Sequence, residues 1–309
     1  MSELIHVGII GPGKHFEKNI YPILKKIKKI KIKGILANKN RFFKNIKTDS
    51  EKEFFKKKFN FIYIAAPNQL HEKYIIKGLK NNSNIICEKP FLLRKKKINE
   101  IFNLAKKKNK MIFECFMYLY HELFKNLKSI LVKKKFGKLK YVISNFRFPS
   151  LNKTDNRYNK KLGNGFFFDS ATYLISLENY LFNQINLKKK DIFKNKIKKD
   201  IDLRGYFFIN NNNFQRFYFW GEGQNYNNNI ELFFQKATVY INFFFSKQKN
   251  KEPKIMIHIN NKVINLKIKK NNHFKNMFLE IFSKYKKKKF QNFHRKKIKT
   301  QINLIHQLI

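Results

Sequence analysis

Across its first third the chain alternates short apolar runs with lysine-rich stretches of helical spacing, and this alternation constrains the fold more than any other feature. Apolar runs of this kind suit strands buried on both faces, and strands separated by helices imply β-α-β units and a parallel sheet. Strands are expected at 4–10, 30–37, 61–65, 84–87 and 110–113, with helices at 16–26, 70–80 and 98–108. From about Tyr141 the texture changes to alternating or wholly apolar segments at 141–148, 205–209, 214–220, 229–234, 238–244 and 254–258, joined by Asn-rich turns. Such segments read as a largely antiparallel sheet. The expected fold class is α/β: a doubly wound parallel sheet over residues 1–120, then an α+β domain with an open, largely antiparallel sheet over residues 121–309.

Charge is the feature that competes with this reading. The 309 residues carry 68 Lys and Arg against 20 Asp and Glu, a formal +48, yet 43% are hydrophobic. That apolar content excludes a disordered polycation. A nucleic-acid footprint clusters on one face, whereas lysine runs recur here from Lys25 to Lys299. The chain is also crowded with Asn, Ile, Phe and Tyr, and like lysine they have codons built wholly or mostly from A and T. The excess therefore reads as compositional background, and no specific nucleic-acid partner is expected. No charge-free run approaches the roughly 20 residues of a membrane helix, and the opening segment lacks a signal-peptide pattern. Cys87 and Cys115 have no metal-type spacing. A cytoplasmic protein with reduced thiols and no metal site is expected.

Val7-Gly8-Ile9-Ile10-Gly11-Pro12-Gly13-Lys14-His15 ends the first strand and opens the first helix. Gly11 and Gly13 occupy the first two positions of a dinucleotide fingerprint, where the chain must turn tightly and a pyrophosphate must approach bare N–H groups. Such a loop suits a Rossmann-type domain, with Lys14 and His15 expected at the cofactor, and a simple strand-to-helix turn stays open as the alternative. The third fingerprint position holds Phe16 instead of Gly or Ala. After the second strand, an NAD site normally carries an acid for the ribose 2′-hydroxyl. Here the segment reads Asn38-Lys39-Asn40-Arg41, which repels no 2′-phosphate and offers two cations to pair with it. NADP(H) is favoured, and NAD(H) stays open.

More specific is the stretch Phe61-Ile62-Tyr63-Ile64-Ala65-Ala66-Pro67-Asn68-Gln69-Leu70-His71, followed by Gly78-Leu79 and Ile85-Ile86-Cys87-Glu88-Lys89-Pro90-Phe91. It resembles the Gfo/Idh/MocA family, the glucose-fructose oxidoreductases and inositol dehydrogenases, with their Pro-Asn-x-x-His turn and Glu-Lys-Pro motif. The resemblance implies that Pro67, Asn68 and His71 line the cofactor side, that Glu88 and Lys89 lie near the nicotinamide, and that the second domain supplies the substrate pocket and a homo-oligomer surface. Taken alone, Lys89 would be one solvated lysine among many.

The second domain brings Asn156-Arg157, Gly163-Asn164-Gly165 and Asp169-Ser170-Ala171-Thr172-Tyr173, similar to the family's glycine-rich turn and the helix after it. Positions i and i+4 share a helix face, so Asp169 and Tyr173 are expected to point into one cleft. The alternative for Tyr173 is a core aromatic with a satisfied hydroxyl. The trio suits hydride transfer between nicotinamide and a sugar carbonyl or alcohol: Tyr173 as proton donor, Lys89 on the same oxygen, and Asp169 orienting the lysine or holding a substrate hydroxyl. Leu119 stands where many relatives carry an Arg, and Asn164 and Ala171 where they carry Gly; Arg157 is the candidate replacement for a lost cofactor contact.

Trp220-Gly221-Glu222-Gly223-Gln224-Asn225-Tyr226-Asn227-Asn228 looks like the subgroup acting on nucleotide-linked sugars, which makes reduction of a 3-keto nucleotide-diphosphate hexose the expected reaction. Tyr226 and Asn228 suit bracing the sheet as well as touching a sugar. A dehydrogenase of a free sugar, inositol or dihydrodiol stays open, as does a catalytically silent nucleotide-binding protein.

Overall fold

The apolar runs of the first third form buried strands. The computed structural model describes residues 4–37, 42–159, 165–183, 192–197, 201–210, 214–223, 225–246 and 252–309, with Phe42, Lys196 and Ile197 described by backbone alone. In chain order come β1 (Ile5–Ile10), a π-helical turn (Phe16–Ile20) running into α1 (Tyr21–Lys26), β2 (Ile30–Leu36), the short hairpin of β3 (Phe42–Phe43) and β4 (Ile46–Lys47), α2 (Glu51–Lys56), β5 (Phe61–Ile64), α3 (His71–Lys80), β6 (Asn84–Glu88), α4 (Ile98–Lys107) and β7 (Ile112–Cys115). The sheet order β2-β1-β5-β6-β7, with every pair parallel, is the doubly wound arrangement. Its central strand β5 is buried on both faces: none of Phe61, Ile62, Tyr63 and Ile64 has measurable exposure.

The remaining elements are α5 (Glu122–Lys133), β8 (Leu139–Phe148), a second π-helical turn (Phe167–Ala171) leading into α6 (Thr172–Tyr180), β9 (Ile192–Ile197), β10 (Ile201–Asn210), β11 (Gln215–Glu222), β12 (Asn227–Phe234), β13 (Thr238–Asn242), β14 (Lys254–Ile259), β15 (Lys262–Lys267), α7 (His273–Lys284) and α8 (Lys288–Gln307). They build an eight-stranded sheet of order β15-β14-β13-β12-β8-β11-β10-β9. Only its β8–β11 pair is parallel among the described strands, so the expected open, largely antiparallel sheet is present.

Two compact units result: Met1–Phe116 with Met277–Ile302, and Met117–Asn276 with Asn303–Ile309. A division at residue 120 has no counterpart for the return of Met277–Ile302 to the first unit. Aromatic cover accounts for it: Phe61 meets Phe282 and Tyr285 at 5.1 and 4.9 Å between ring centroids, and Tyr63 meets Phe278 at 5.8 Å. Edge-to-face pairs of this kind add to the area they bury. No helix among the described residues is long and apolar enough to cross a membrane.

Candidate active site

The glycine loop forms the wall of a cleft of about 420 Å³ in the first unit, together with Lys14, Leu36, Thr48, Pro67, Leu70 and Tyr74. Gly11 has φ +70°, and a Cβ there would come 2.5 Å from the Cα of Ala66 on the neighbouring strand end. The position therefore requires glycine twice over, for conformation and for close approach. Gly13 has nothing within 4 Å of where a Cβ would stand, so its bare backbone faces open space. That combination, at the carboxyl ends of parallel strands and the start of a helix, fits a dinucleotide's pyrophosphate. Phe16 does not intrude. It is 1% exposed and turns into an aromatic cluster with Tyr63, Phe43 and Tyr21, where the π-helical turn widens the backbone. Asn38, Lys39 and Arg41 lie outside the described residues.

Other residues expected at the cofactor have partners within the fold. His71 is fully buried, its Nδ1 2.8 Å from the Pro90 carbonyl and its Nε2 2.9 Å from the Ala66 carbonyl. Burial holds its pKa below the usual histidine range, against the pull of both carbonyls. It holds the two turns at Ala66 and Pro90. His15 is exposed and pairs with Asn19 at 3.2 Å, and neither it nor Asn68 is among the cleft-lining residues. Glu88 accepts the hydroxyl of the buried Tyr63. Lys89 is half-buried beyond the end of β6. Thr48 and Tyr74, which sequence reasoning passed over, both line the cleft. A signal for the first was present in the Ser50-x-x-Glu53 capping box that starts α2 just after it.

In the second unit, Asp169 lies in the π-helical turn and not in a regular α-helix. Such turns insert an extra residue and recur at functional sites. Arg157 Nε donates to Asp169 Oδ2 at 2.7 Å, and its Nη1 reaches both oxygens of Asp155 at 2.9 and 3.0 Å. The two carboxylates, Asp169 first, push the guanidinium pKa further up. Arg157 therefore braces the Asp169 segment. Gly165, at φ +85°, packs against Asp202, whose Oδ2 takes the Phe167 N–H at 2.6 Å and anchors the turn. Tyr173 is buried among Phe146, Phe245 and Tyr118, with its hydroxyl 3.4 Å from Met117 Sδ. Asn228 is fully buried and holds Tyr226 Oη, Ser246 O and Phe245 N at 2.8–2.9 Å, a bracing role.

Comparison with known families agrees with this geometry. The family described as "Oxidoreductase family, NAD-binding Rossmann fold" matches residues 5–116, and the "GFO/IDH/MocA C-terminal domain" matches residues 124–188. The chain belongs to the Gfo/Idh/MocA oxidoreductase family. Among the relatives of this Gfo/Idh/MocA member, trans-1,2-dihydrobenzene-1,2-diol dehydrogenase of Xenopus laevis is 25% identical over 40% of the chain and 37% of its own length. A dTDP-3,4-didehydro-2,6-dideoxy-alpha-D-glucose 3-reductase of Saccharopolyspora spinosa is 21% identical over 56% of the chain and 54% of its own length. The chain thus spans roughly a third to a half of the curated relatives it matches. In fold, a 3-ketoreductase from Actinomadura kijaniata, solved in complex with NADP and TDP-benzene, superposes with a TM-score of 0.88 over 98% of this chain and 96% of its own, at 17% identity.

Proposed function

We propose that this chain is an NADP(H)-dependent oxidoreductase that reduces the keto group of a nucleotide-linked sugar. The observation that carries the reading is the cleft at Gly11 and Gly13, where bare backbone at a helix start faces open space beside Lys14 and Thr48. Gly11, Gly13, Lys14 and Pro67 would hold the dinucleotide, with Asn38, Lys39 and Arg41 in the segment that meets the ribose. When bound, the reduced nicotinamide supplies hydride to a carbonyl carbon. Lys89 donates a hydrogen bond to the oxygen on which negative charge develops, and Tyr173 gives that oxygen its proton. Asp169, fixed by Arg157, orients the substrate's hydroxyls. The nucleotide-sugar class rests on the Trp220–Asn228 segment and on the reductases among the relatives.

The face of the large sheet that carries Tyr141, Phe193 and Tyr206 leaves these rings exposed, and Phe193 stacks on Tyr206 at 5.4 Å. A second copy would cover them, giving a homo-oligomer in solution. Light scattering at moderate salt checks this against a monomer mass.

The decisive experiment is a fluorescence titration with NADPH and NADH at moderate salt, followed by turnover on a panel of 3-keto and 4-keto nucleotide sugars. Saturable binding with preference for NADPH is expected. Lys89→Ala and Tyr173→Phe should each cut kcat by on the order of 100-fold or more while leaving the melting temperature in place. No saturable binding of either cofactor sinks the enzyme reading. Parental turnover in both variants sinks the assignment of the chemistry, and turnover of free inositol, a free sugar or a dihydrodiol alone moves the substrate class.

A further inference from the structure

The turn that carries Lys89 is held on both sides by buried side chains. On the entry side Tyr63 on β5 donates to Glu88. On the exit side His71 sits against the Pro90 carbonyl, and Glu114 on β7 accepts the backbone N–H of Phe91 at 2.8 Å through Oε1. Glu114 is the buried carboxyl of this set. It is 3% exposed, and its Oε2 has no hydrogen-bond partner. An ionised carboxylate would be a buried charge with one oxygen unmet, which the interior of a parallel sheet penalises heavily. A neutral carboxyl keeps the Oε1 acceptor and loses the charge. An apolar residue would pack this position more cheaply but would strand the Phe91 N–H.

We propose that Glu114 is a positioning residue for Lys89, its buried carboxyl fixing the exit side of the turn through the Phe91 amide. This inference rests on the reading of Lys89 as a group that touches substrate.

The groups facing Glu114 are Cys87, opposite it on β6, Lys89 beyond the end of β6, and Cys115 next along β7; Glu88 faces both thiols. Burial pushes the Glu114 carboxyl up to about 8, against the pulls of the Phe91 hydrogen bond and the Lys89 charge. The folded chain therefore keeps a proton that the unfolded chain releases above about 4.5. Stability falls as pH rises between those values and levels off above the folded one. His71 and His294, buried histidines of the same unit whose pKa values burial lowers, act only below their unfolded value of 6.5. The range above 6.5 thus separates Glu114 from them.

The test uses the full chain without substrate. Melting temperatures of the parent and Glu114→Gln are compared from pH 6.5 to about 8.5, where one released proton per molecule sets the slope. Acetylation of Lys89 by acetic anhydride, resolved by peptide mass, is followed in the parent, Glu114→Gln and Glu114→Leu. The parent is expected to lose several degrees across the range and the Gln variant to stay flat. Lys89 reactivity should stay within about twofold of the parent in Gln, which keeps an acceptor, and should change about fivefold or more in Leu, which does not. Where substrate is turned over, Gln restores what Leu loses. Equal slopes in parent and Gln overturn the proposal, as does unchanged Lys89 reactivity in Leu. If Leu does not fold, the Gln slope decides. Absence of turnover in every form sinks the reductase reading alone, because the melting and labelling results need no substrate.

Discussion

Gly11 and Gly13 stand two residues apart under opposite constraints. At Gly11 a side chain meets both a left-handed backbone, φ +70°, and the Cα of Ala66. Gly11→Ala is therefore expected to lower stability by about 1–2 kcal/mol from conformation alone, and further from the clash. At Gly13 a methyl group meets nothing within 4 Å. Gly13→Ala should leave the melting temperature unchanged yet weaken NADPH binding by roughly tenfold, since the methyl fills the space a phosphate needs. Thermal melts beside fluorescence titrations distinguish the two. At the same scale, residue type alone does not reveal the partners of His71 and Arg157. Each carries the right chemistry for a cofactor contact, but one is enclosed by carbonyls and the other by carboxylates, and neither enclosure is visible from neighbours in sequence.

Helix α6 and strand β11 are joined by a buried ion pair: Arg216 Nε donates to Glu178 Oε1 at 2.9 Å, Tyr218 donates to the same oxygen, and Phe214 covers the guanidinium at 4.5 Å. Both charged residues are 1% exposed or less. Burial pushes the Glu178 carboxyl up, against the opposing pulls of Arg216 and Tyr218. Arg216→Met strands a carboxylate in the core and should cost about 3–5 kcal/mol in denaturant unfolding, with the double variant Arg216→Met, Glu178→Leu recovering most of it. A single variant with parental stability would show that water reaches the pair. Element by element, the strands of both sheets were legible from their apolar runs, since burial on one or two faces writes a period into the chain. β15, exposed along its whole length, and the edge strand β9 were passed over, as were α7 and α8, although Phe274, Met277, Phe278 and Ile281 repeat at helical spacing on α7. Neither π-helical turn has a local signature; each arises where a large ring or an anchored backbone must be accommodated.

Over the whole molecule the formal charge understates the surface imbalance. Of the few acids, Glu114, Glu178, Asp202 and Glu222 are buried, so they do little to offset the exposed lysines. Self-repulsion should make the melting temperature rise between low and moderate salt, as screening shortens to about 10 Å at 0.1 M. A flat or falling curve would contradict this. Acid adds a second dependence. His294 is packed against Phe113 at 4.6 Å and Phe290 at 4.4 Å, and burial holds it down to about 3. The unfolded chain takes up a proton below 6.5 that the folded chain refuses. Stability is then lost as pH falls from that value toward the folded one, by roughly 5 kcal/mol at most. His294→Phe should flatten this acid limb in pH-dependent melts.

Alternating apolar runs, the Gly11 turn and the Glu88-Lys89-Pro90 motif were enough to establish a parallel sheet, a nucleotide cleft and a family, because burial and tight turns act on residues close in the chain. The return of Met277–Ile302 to the first unit, the enclosure of His71, the bracing of Asp169 by Arg157 and the hold of Glu114 on Phe91 were not readable there. Each joins residues from 5 to more than 200 positions apart. Their energetics depend on which groups lose water together, and that is set by packing in three dimensions.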